Sequence, residues 1–148
     1  MINFFFLEAF KLRHKLRSWL GPLLIMILVL IAFPLSIDIS QYDLNKFYFS
    51  VIVVSLLMIS FLATESIFSE DYEDGSLEQL HLEEKDFYKI VLAKILTYVF
   101  FIGIPMALIG SVFSFANGVS VAEVPKIFVI LSISTLILFN VFAFGSAL

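Results

Sequence analysis

The sequence predicts an all-α polytopic membrane protein, a bundle of four transmembrane helices preceded by an amphipathic interfacial helix. Hydrophobic residues make up 61% of the 148 residues and charged residues only 15%, and the mean hydropathy is +1.04. A soluble domain carries about 25% charged residues, so the composition excludes that class of protein. Four long apolar runs separated by polar stretches set the number of spans.

Residues 3–19 have the pattern of a helix that lies along the membrane surface. Phe5, Leu12 and Trp19 recur at helical spacing on an apolar side, whereas Lys11 and Lys15 lie on another side. Acyl chains solvate the first of these faces and anionic headgroups the second, which is typical of an interfacial helix. The alternative is a cytoplasmic tail that is merely positively charged.

Four apolar runs follow, and together with the segments between them they form a single transmembrane domain of residues 1–148. At 1.5 Å per helical residue, such runs cross a hydrocarbon core of about 30 Å. Pro22 is expected in the first turn of the first span, where its missing N–H costs little. Pro105 is expected to kink the third span. The predicted spans are residues 20–37, 47–68, 90–115 and 124–148.

The distribution of basic residues predicts that the N-terminus lies in the cytoplasm. In that orientation only Lys46 and Lys126, of nine lysines and arginines, lie outside. Basic residues are retained in the cytoplasm, and Asp and Glu have little weight in this rule. The polar stretch between the second and third spans is therefore cytoplasmic as well.

This polar stretch, residues 69–89, is named the acidic loop, and it is predicted to bind a soluble partner. It holds eight of the thirteen acidic residues, too many to lie in hydrocarbon. Asp74-Gly75 indicates a turn, and Ser76 with Gln79 forms a capping box that starts a short helix with leucines on one side. The predicted docking residues are Asp71, Glu73, Asp74, Gly75, Ser76, Leu77, Glu78, Leu80 and Leu82.

Glu65 and Lys94 lie about one turn inside the cytoplasmic ends of the second and third spans. An intramembrane carboxylate normally finds a cation or faces water, so we expect these two residues to form an ion pair. Glu65 could instead meet a base of the N-terminal helix. In the remaining alternative each side chain extends to the nearby interface by itself.

Small residues in the third span predict a smooth face for close helix packing. Gly103, Ala107 and Gly110 share one side of the helix. In the fourth span, Asn140 is expected to help the helices pack. It could do so by forming a hydrogen bond to a neighbouring helix.

Sequence motifs for catalysis are absent. The chain has no GxxxxGK[ST], HExxH or GxSxG motif and no cysteine, so we expect no enzyme activity and no directly bound metal or cofactor. His81 is expected to face a partner, with a metal or haem-iron ligand as the alternative. The run from Asp71 to Gly75 does not have the spacing of a calcium-binding EF-hand.

The run from Glu70 to Leu80, followed by Val91-Leu92-Ala93-Lys94, resembles the cytoplasmic loop of the haem exporter protein B (CcmB) family. Phe33-Pro34-Leu35-Ser36, Glu65 and Gly103-Ile104-Pro105 also fit that family's layout.

The resemblance implies an ABC-2-like permease of the bacterial or organellar inner membrane. It implies that haem is the cargo, moved or presented for periplasmic cytochrome c assembly. A separate ATP-binding subunit would dock at the acidic loop, beside other cytochrome c maturation membrane subunits and membrane lipid. It implies no nucleic acid partner.

Two features depart from the family. Residues 81–87 lack its proline-rich sequence, and four spans replace about six, which indicates an incomplete permease. Two other functions stay open: an assembly or scaffold subunit that recruits a soluble partner without transport, and a small channel or carrier that uses Glu65 as its proton site.

Overall fold

The computed structural model describes Phe6, Ala9, Phe10 and residues 16–36, 44–73 and 87–146. Over these ranges the protein is helical apart from one connection and contains no strand. Four helical stretches are long and apolar enough to cross a membrane, so the predicted fold class is confirmed and the protein is a multi-pass membrane protein. The helices are α1 (Leu16–Ser36), α2 (Leu44–Glu73), α3 (Phe87–Tyr98), a π-helical segment (Val99–Gly103), α4 (Ile104–Ala116) and α5 (Val124–Ser146).

The ends of α2 and α3 differ from the predicted limits of the acidic loop. The apolar part of the second span ends at Glu65, yet α2 continues to Glu73. The first residues of the loop, 69–73, are therefore helical, and α3 begins at Phe87. Acidic residues lower helix propensity by only a few tenths of a kcal/mol, so charge by itself does not end a helix.

The start of α1 also differs from the prediction. Because α1 begins at Leu16, Pro22 lies inside the helix rather than in its first turn. Residues 16–19, which were assigned to the interfacial helix, continue directly into the first span. An interior proline removes one backbone hydrogen bond, which a long helix tolerates. Apart from Phe6, Ala9 and Phe10, the earlier part of the interfacial helix lies outside the described residues.

The bundle has inner and outer helices. Helix α2 packs against α1 on one side and α5 on the other, and α4 packs against α5. The second and third spans are each 44% buried, against 17% for the first and 22% for the fourth. The second and third spans are thus the inner pair, and most of the surface of α1 and α5 faces outward. The core centres on the fully buried side chains of Met26, Ile52, Ile102, Met106 and Phe139.

Gly103, Ala107 and Gly110 lie on the packed side of the third span, which confirms the predicted smooth face. A Cβ at Gly110 would stand 2.9 Å from Leu131 Cδ1 and 3.1 Å from Ile52 Cγ2. At Gly103 it would stand 3.3 Å from the hydroxyl of a threonine on α5. The neighbouring helices approach so closely because the side chain of glycine is only a hydrogen atom.

The third span is irregular just before Pro105. The backbone N–H of Ile104 donates to the carbonyl of Val99, five residues earlier, and Val99–Gly103 is a π-helical segment. Pro105 has no N–H to give to the carbonyl of Phe101, and its ring pushes that carbonyl away. A wider π turn relieves this conflict, so the disturbance predicted as a kink takes the form of a π segment.

Candidate functional site

Two of the predicted docking residues lie at the described end of an inner helix. Asp71 and Glu73 are in the last turn of α2, and α3 begins at Phe87. The other seven predicted docking residues, from Asp74 to Leu82, lie outside the described residues. The docking surface therefore stays a prediction. Its two attachment points are both on the inner helices of the bundle.

The described part of α2 ends in acidic residues. Its last turn contains Glu70, Asp71 and Glu73 and no basic residue. The carbonyl groups at a helix C-terminus carry a partial negative charge, so an acidic residue there is unfavourable by about 0.3–1 kcal/mol. A cationic surface placed against this turn would remove that cost.

Glu65 and Lys94 lie in unlike surroundings. Glu65 is exposed at the end of the second span, whereas Lys94 is only 6% exposed on α3. A buried ammonium group depends on nearby acceptors or carboxylates for its stability. The pairing of these two residues stays a prediction.

Most interior hydroxyl groups are satisfied by their own helices. Thr64 donates to the carbonyl of Ser60 at 2.9 Å, and Thr97 donates to that of Ala93 at 2.8 Å. The same pattern holds for Ser55, Ser111, Ser114 and Thr135. Bonded in this way, a hydroxyl adds little polarity to the core. These residues therefore act mainly in packing.

Two buried polar atoms differ from this pattern. Among the described residues, the indole N–H of Trp19 and the hydroxyl of Ser60 are buried without a hydrogen-bond partner. In the sequence, Trp19 lies on the apolar side of the predicted interfacial helix, and no pattern distinguishes Ser60. The sequence gives no signal for such an atom, because the neighbouring residues in the folded structure decide whether a buried polar atom finds a hydrogen-bond partner.

Within the described ranges, no group of three or more His, Cys, Asp or Glu residues is placed to hold a metal ion. The chemistry this part of the molecule offers is apolar packing and backbone-bonded hydroxyls. Asn140 in α5 belongs to the same class, since its side-chain amide donates to the carbonyl of Leu136 at 2.7 Å. This hydrogen bond lies within α5. The sequence had suggested a hydrogen bond to another helix as one way in which Asn140 contributes to packing.

The chain matches the family model described as CcmB protein over residues 5–148. It is similar to heme exporter protein B of Pseudomonas aeruginosa, with 30% identity over 141 residues, which are 95% of this chain and 63% of the relative. Heme exporter protein B of Escherichia coli K12 is 36% identical over 90 residues, or 61% of this chain and 41% of the relative. The Haemophilus influenzae protein of the same name is 31% identical over 99 residues, or 67% and 45%.

The chain thus spans less than two thirds of the length of these curated relatives. No solved structure matches it. The family model covers nearly the whole chain, including all four helical stretches that are able to cross a membrane and the acidic loop. The chain therefore belongs to the CcmB protein family.

Proposed function

We propose that this chain is a permease subunit of an ABC-type haem export complex that serves cytochrome c maturation. In this proposal a separate subunit hydrolyses ATP and docks at the acidic loop, and the work is used to deliver haem for cytochrome c assembly. The protein lies in the inner membrane with its N-terminus in the cytoplasm. Haem is cargo and is not a resident cofactor.

The observation that carries this proposal is the family match over residues 5–148. The relatives in three bacteria are named heme exporter protein B. The chain has no phosphate-binding GxxxxGK[ST] loop. Energy from ATP would therefore enter through another polypeptide.

The position of the acidic loop supports a docking role. The loop joins α2 to α3, and these helices belong to the two most buried spans. A force applied to this loop would act directly on the inner helices rather than on the outer ones. Packed helices respond to such a force by discrete shifts, because their interfaces change from one packed arrangement to another and do not deform continuously.

The chemistry of the loop suggests how the partner binds. Leu77, Leu80 and Leu82 would enter an apolar groove of the ATP-binding subunit, while the surrounding carboxylates meet a basic rim. The acidic last turn of α2 fits this arrangement, because a basic rim would offset its unfavourable position at a helix C-terminus. Complementary charge mainly raises the rate of encounter, whereas the buried leucines supply the affinity.

The proposal is tested by a triple substitution, Glu73→Lys with Asp74→Lys and Leu80→Asp. We expect it to abolish co-purification of the proposed ATP-binding subunit. The measurement is the amount of that subunit retained on the tagged chain in detergent, with and without ATP.

A matched control is available at the opposite end of the bundle. Val121 is 72% exposed and Glu123 is exposed, both in the connection between α4 and α5. Val121→Asp with Glu123→Lys makes similar changes there and should leave binding intact. Undiminished binding by the triple variant would refute docking at the loop. Binding that never depends on ATP would favour a scaffold subunit.

A further inference from the structure

Among the described residues, Ser60 on α2 has a fully buried hydroxyl group that forms no hydrogen bond. Other buried hydroxyls of α2 bond to their own helix: Ser55 donates to the carbonyl of Val51 at 2.7 Å, and Thr64 donates to that of Ser60 at 2.9 Å. Helical serines commonly form this bond to the residue four positions back. An unpaired polar group in an apolar interior is unfavourable, so the exception requires a physical explanation.

The part of the third span that lies level with Ser60 is the π segment. A Cβ at Gly110 would stand 3.1 Å from Ile52 Cγ2, so these two residues are at about the same depth. Consecutive spans cross a membrane in opposite directions. Counting as far beyond Ile52 as Ser60 lies, but backwards from Gly110, leads to Ile102 in the π segment. Ser60 and Ile102 are both fully buried, and α1 and α5 each pack against α2 and against the π segment.

A carbonyl group of the π segment is suited to accept a hydrogen bond from Ser60. In a regular α-helix the carbonyl of Phe101 accepts from the N–H of residue 105, but Pro105 has no N–H. The proline ring also pushes this carbonyl away from the helix axis. In membrane helices, serine and threonine side chains serve to satisfy backbone groups that a proline leaves without their usual partner.

We propose that Ser60 and the carbonyl of Phe101 form a hydrogen bond between the two inner spans when the loop ends of α2 and α3, the ends joined by the acidic loop, move together. The described arrangement, with the hydroxyl unpaired, is the open state, and the arrangement with the bond is the closed state. The bond lowers the free energy of the closed state relative to the open one, and so shifts the population toward it.

This inference deepens the proposed function and rests on it only for the source of the force. Close packing at Gly110 holds α2 and the third span together on one side of Ser60, and the acidic loop joins them on the other side. A partner that moves the loop would therefore change the separation of the loop ends while the contact at Gly110 persists. Ser60 lies between these two points, where the separation changes.

Distances between two spin labels test for the two states. Leu62→Cys on α2 and Leu96→Cys on α3 carry the labels, because both side chains are exposed and the chain has no cysteine of its own. The measurement is pulsed electron paramagnetic resonance of the chain in lipid nanodiscs. We expect two distance populations, of which the shorter is the closed state. Ser60→Ala should reduce the shorter population about threefold, the average effect of losing one hydrogen bond between membrane helices.

Ser55→Ala is the matched control, since it removes a buried hydroxyl that already donates to the carbonyl of Val51 on the same helix. Both populations should keep their sizes in this variant. Pro105→Ala tests the acceptor: the new N–H binds the carbonyl of Phe101 within the third span, so the shorter population should fall here too. A single distance population, or equal effects of Ser60→Ala and Ser55→Ala, would overturn the proposal. An unchanged shorter population after Pro105→Ala would do the same.

These distances do not depend on a partner, because the chain is measured by itself. Suppose that Ser60→Ala shifts the populations as expected, yet the ATP-binding subunit binds the triple loop variant undiminished. The hydrogen bond between the inner spans would then stand, and docking at the acidic loop would be refuted. The two tests thus fail separately.

Discussion

Side chains of three other helices converge on Gly110. A Cβ at this position would meet Leu131 of α5, Ile52 of α2 and Met26 of α1 at 2.9, 3.1 and 3.7 Å. All three side chains are almost fully buried, so they have little room to move aside. The absence of a side chain at one residue therefore sets how closely four helices pack.

We expect Gly110→Val to destabilise the protein by about 1–3 kcal/mol, the usual cost of overpacking a close contact. The measurement is the free energy of unfolding in mild detergent, obtained by titration with SDS. Gly21→Val is the control, since a Cβ at Gly21 meets nothing within 4 Å. Similar losses for both variants would show that the close packing around Gly110 does not cause the effect, because valine has a higher helix propensity than glycine.

At the scale of single elements, the third span combines a π segment with a proline. Val99 and Ile102 in the segment are buried, and Gly103 lies close to Thr135 of α5. The widened turn thus occurs inside the packed region rather than at a free end. It separates α3, which is attached to the acidic loop, from α4, which packs against α5.

Pro105→Ala should strengthen the backbone of this element. The new N–H at position 105 would be available to the carbonyl of Phe101, four residues earlier, to which a proline cannot donate. We expect amide hydrogen exchange over residues 99–106 to slow by about tenfold or more, since an interior proline costs about 3 kcal/mol. Mass spectrometry of the deuterated protein in detergent measures this exchange.

Pro125→Ala is the matched control for this substitution. Pro125 lies in the first turn of α5, where backbone N–H groups have no partner within the helix in any case. Exchange near position 125 should remain unchanged. If both variants slowed exchange to the same extent, the π segment would not result from the missing donor.

At the scale of the whole molecule, the order of the four spans predicts that the acidic loop and the connection between α4 and α5 lie at opposite ends of the bundle. Basic residues predict that the loop end is cytoplasmic. The proposed function depends on this orientation, because a soluble ATP-binding subunit is available only on that side.

Asp74→Cys and Ser120→Cys test the orientation, again in a chain without cysteine. We expect a membrane-impermeant maleimide added to intact cells with a permeable outer membrane to label Ser120→Cys and not Asp74→Cys. Ser120 is exposed in the connection between α4 and α5. Labelling of Asp74→Cys from outside would contradict the orientation and the docking of a cytosolic subunit.

Composition and the apolar runs predicted the four spans, because each hydrophobic stretch must satisfy its backbone internally wherever it lies. The spacing of Gly103, Ala107 and Gly110 predicted a packed face, because helical periodicity places these small residues on one side of the helix. The ends of the helices were less predictable. Charge in residues 69–73 predicted a loop, whereas α2 continues to Glu73 because acidic residues do not break a helix.

By itself, the sequence determined the fold class, the number of spans and the family, since hydropathy and motif order are local properties of the chain. Only the tertiary structure decided which spans are inner, which helices meet at Gly110 and where Asn140 lies relative to the packed face of α5. The physical reason is that a membrane span is apolar on every side. Hydropathy therefore does not distinguish the face that packs against other helices from the face that contacts lipid.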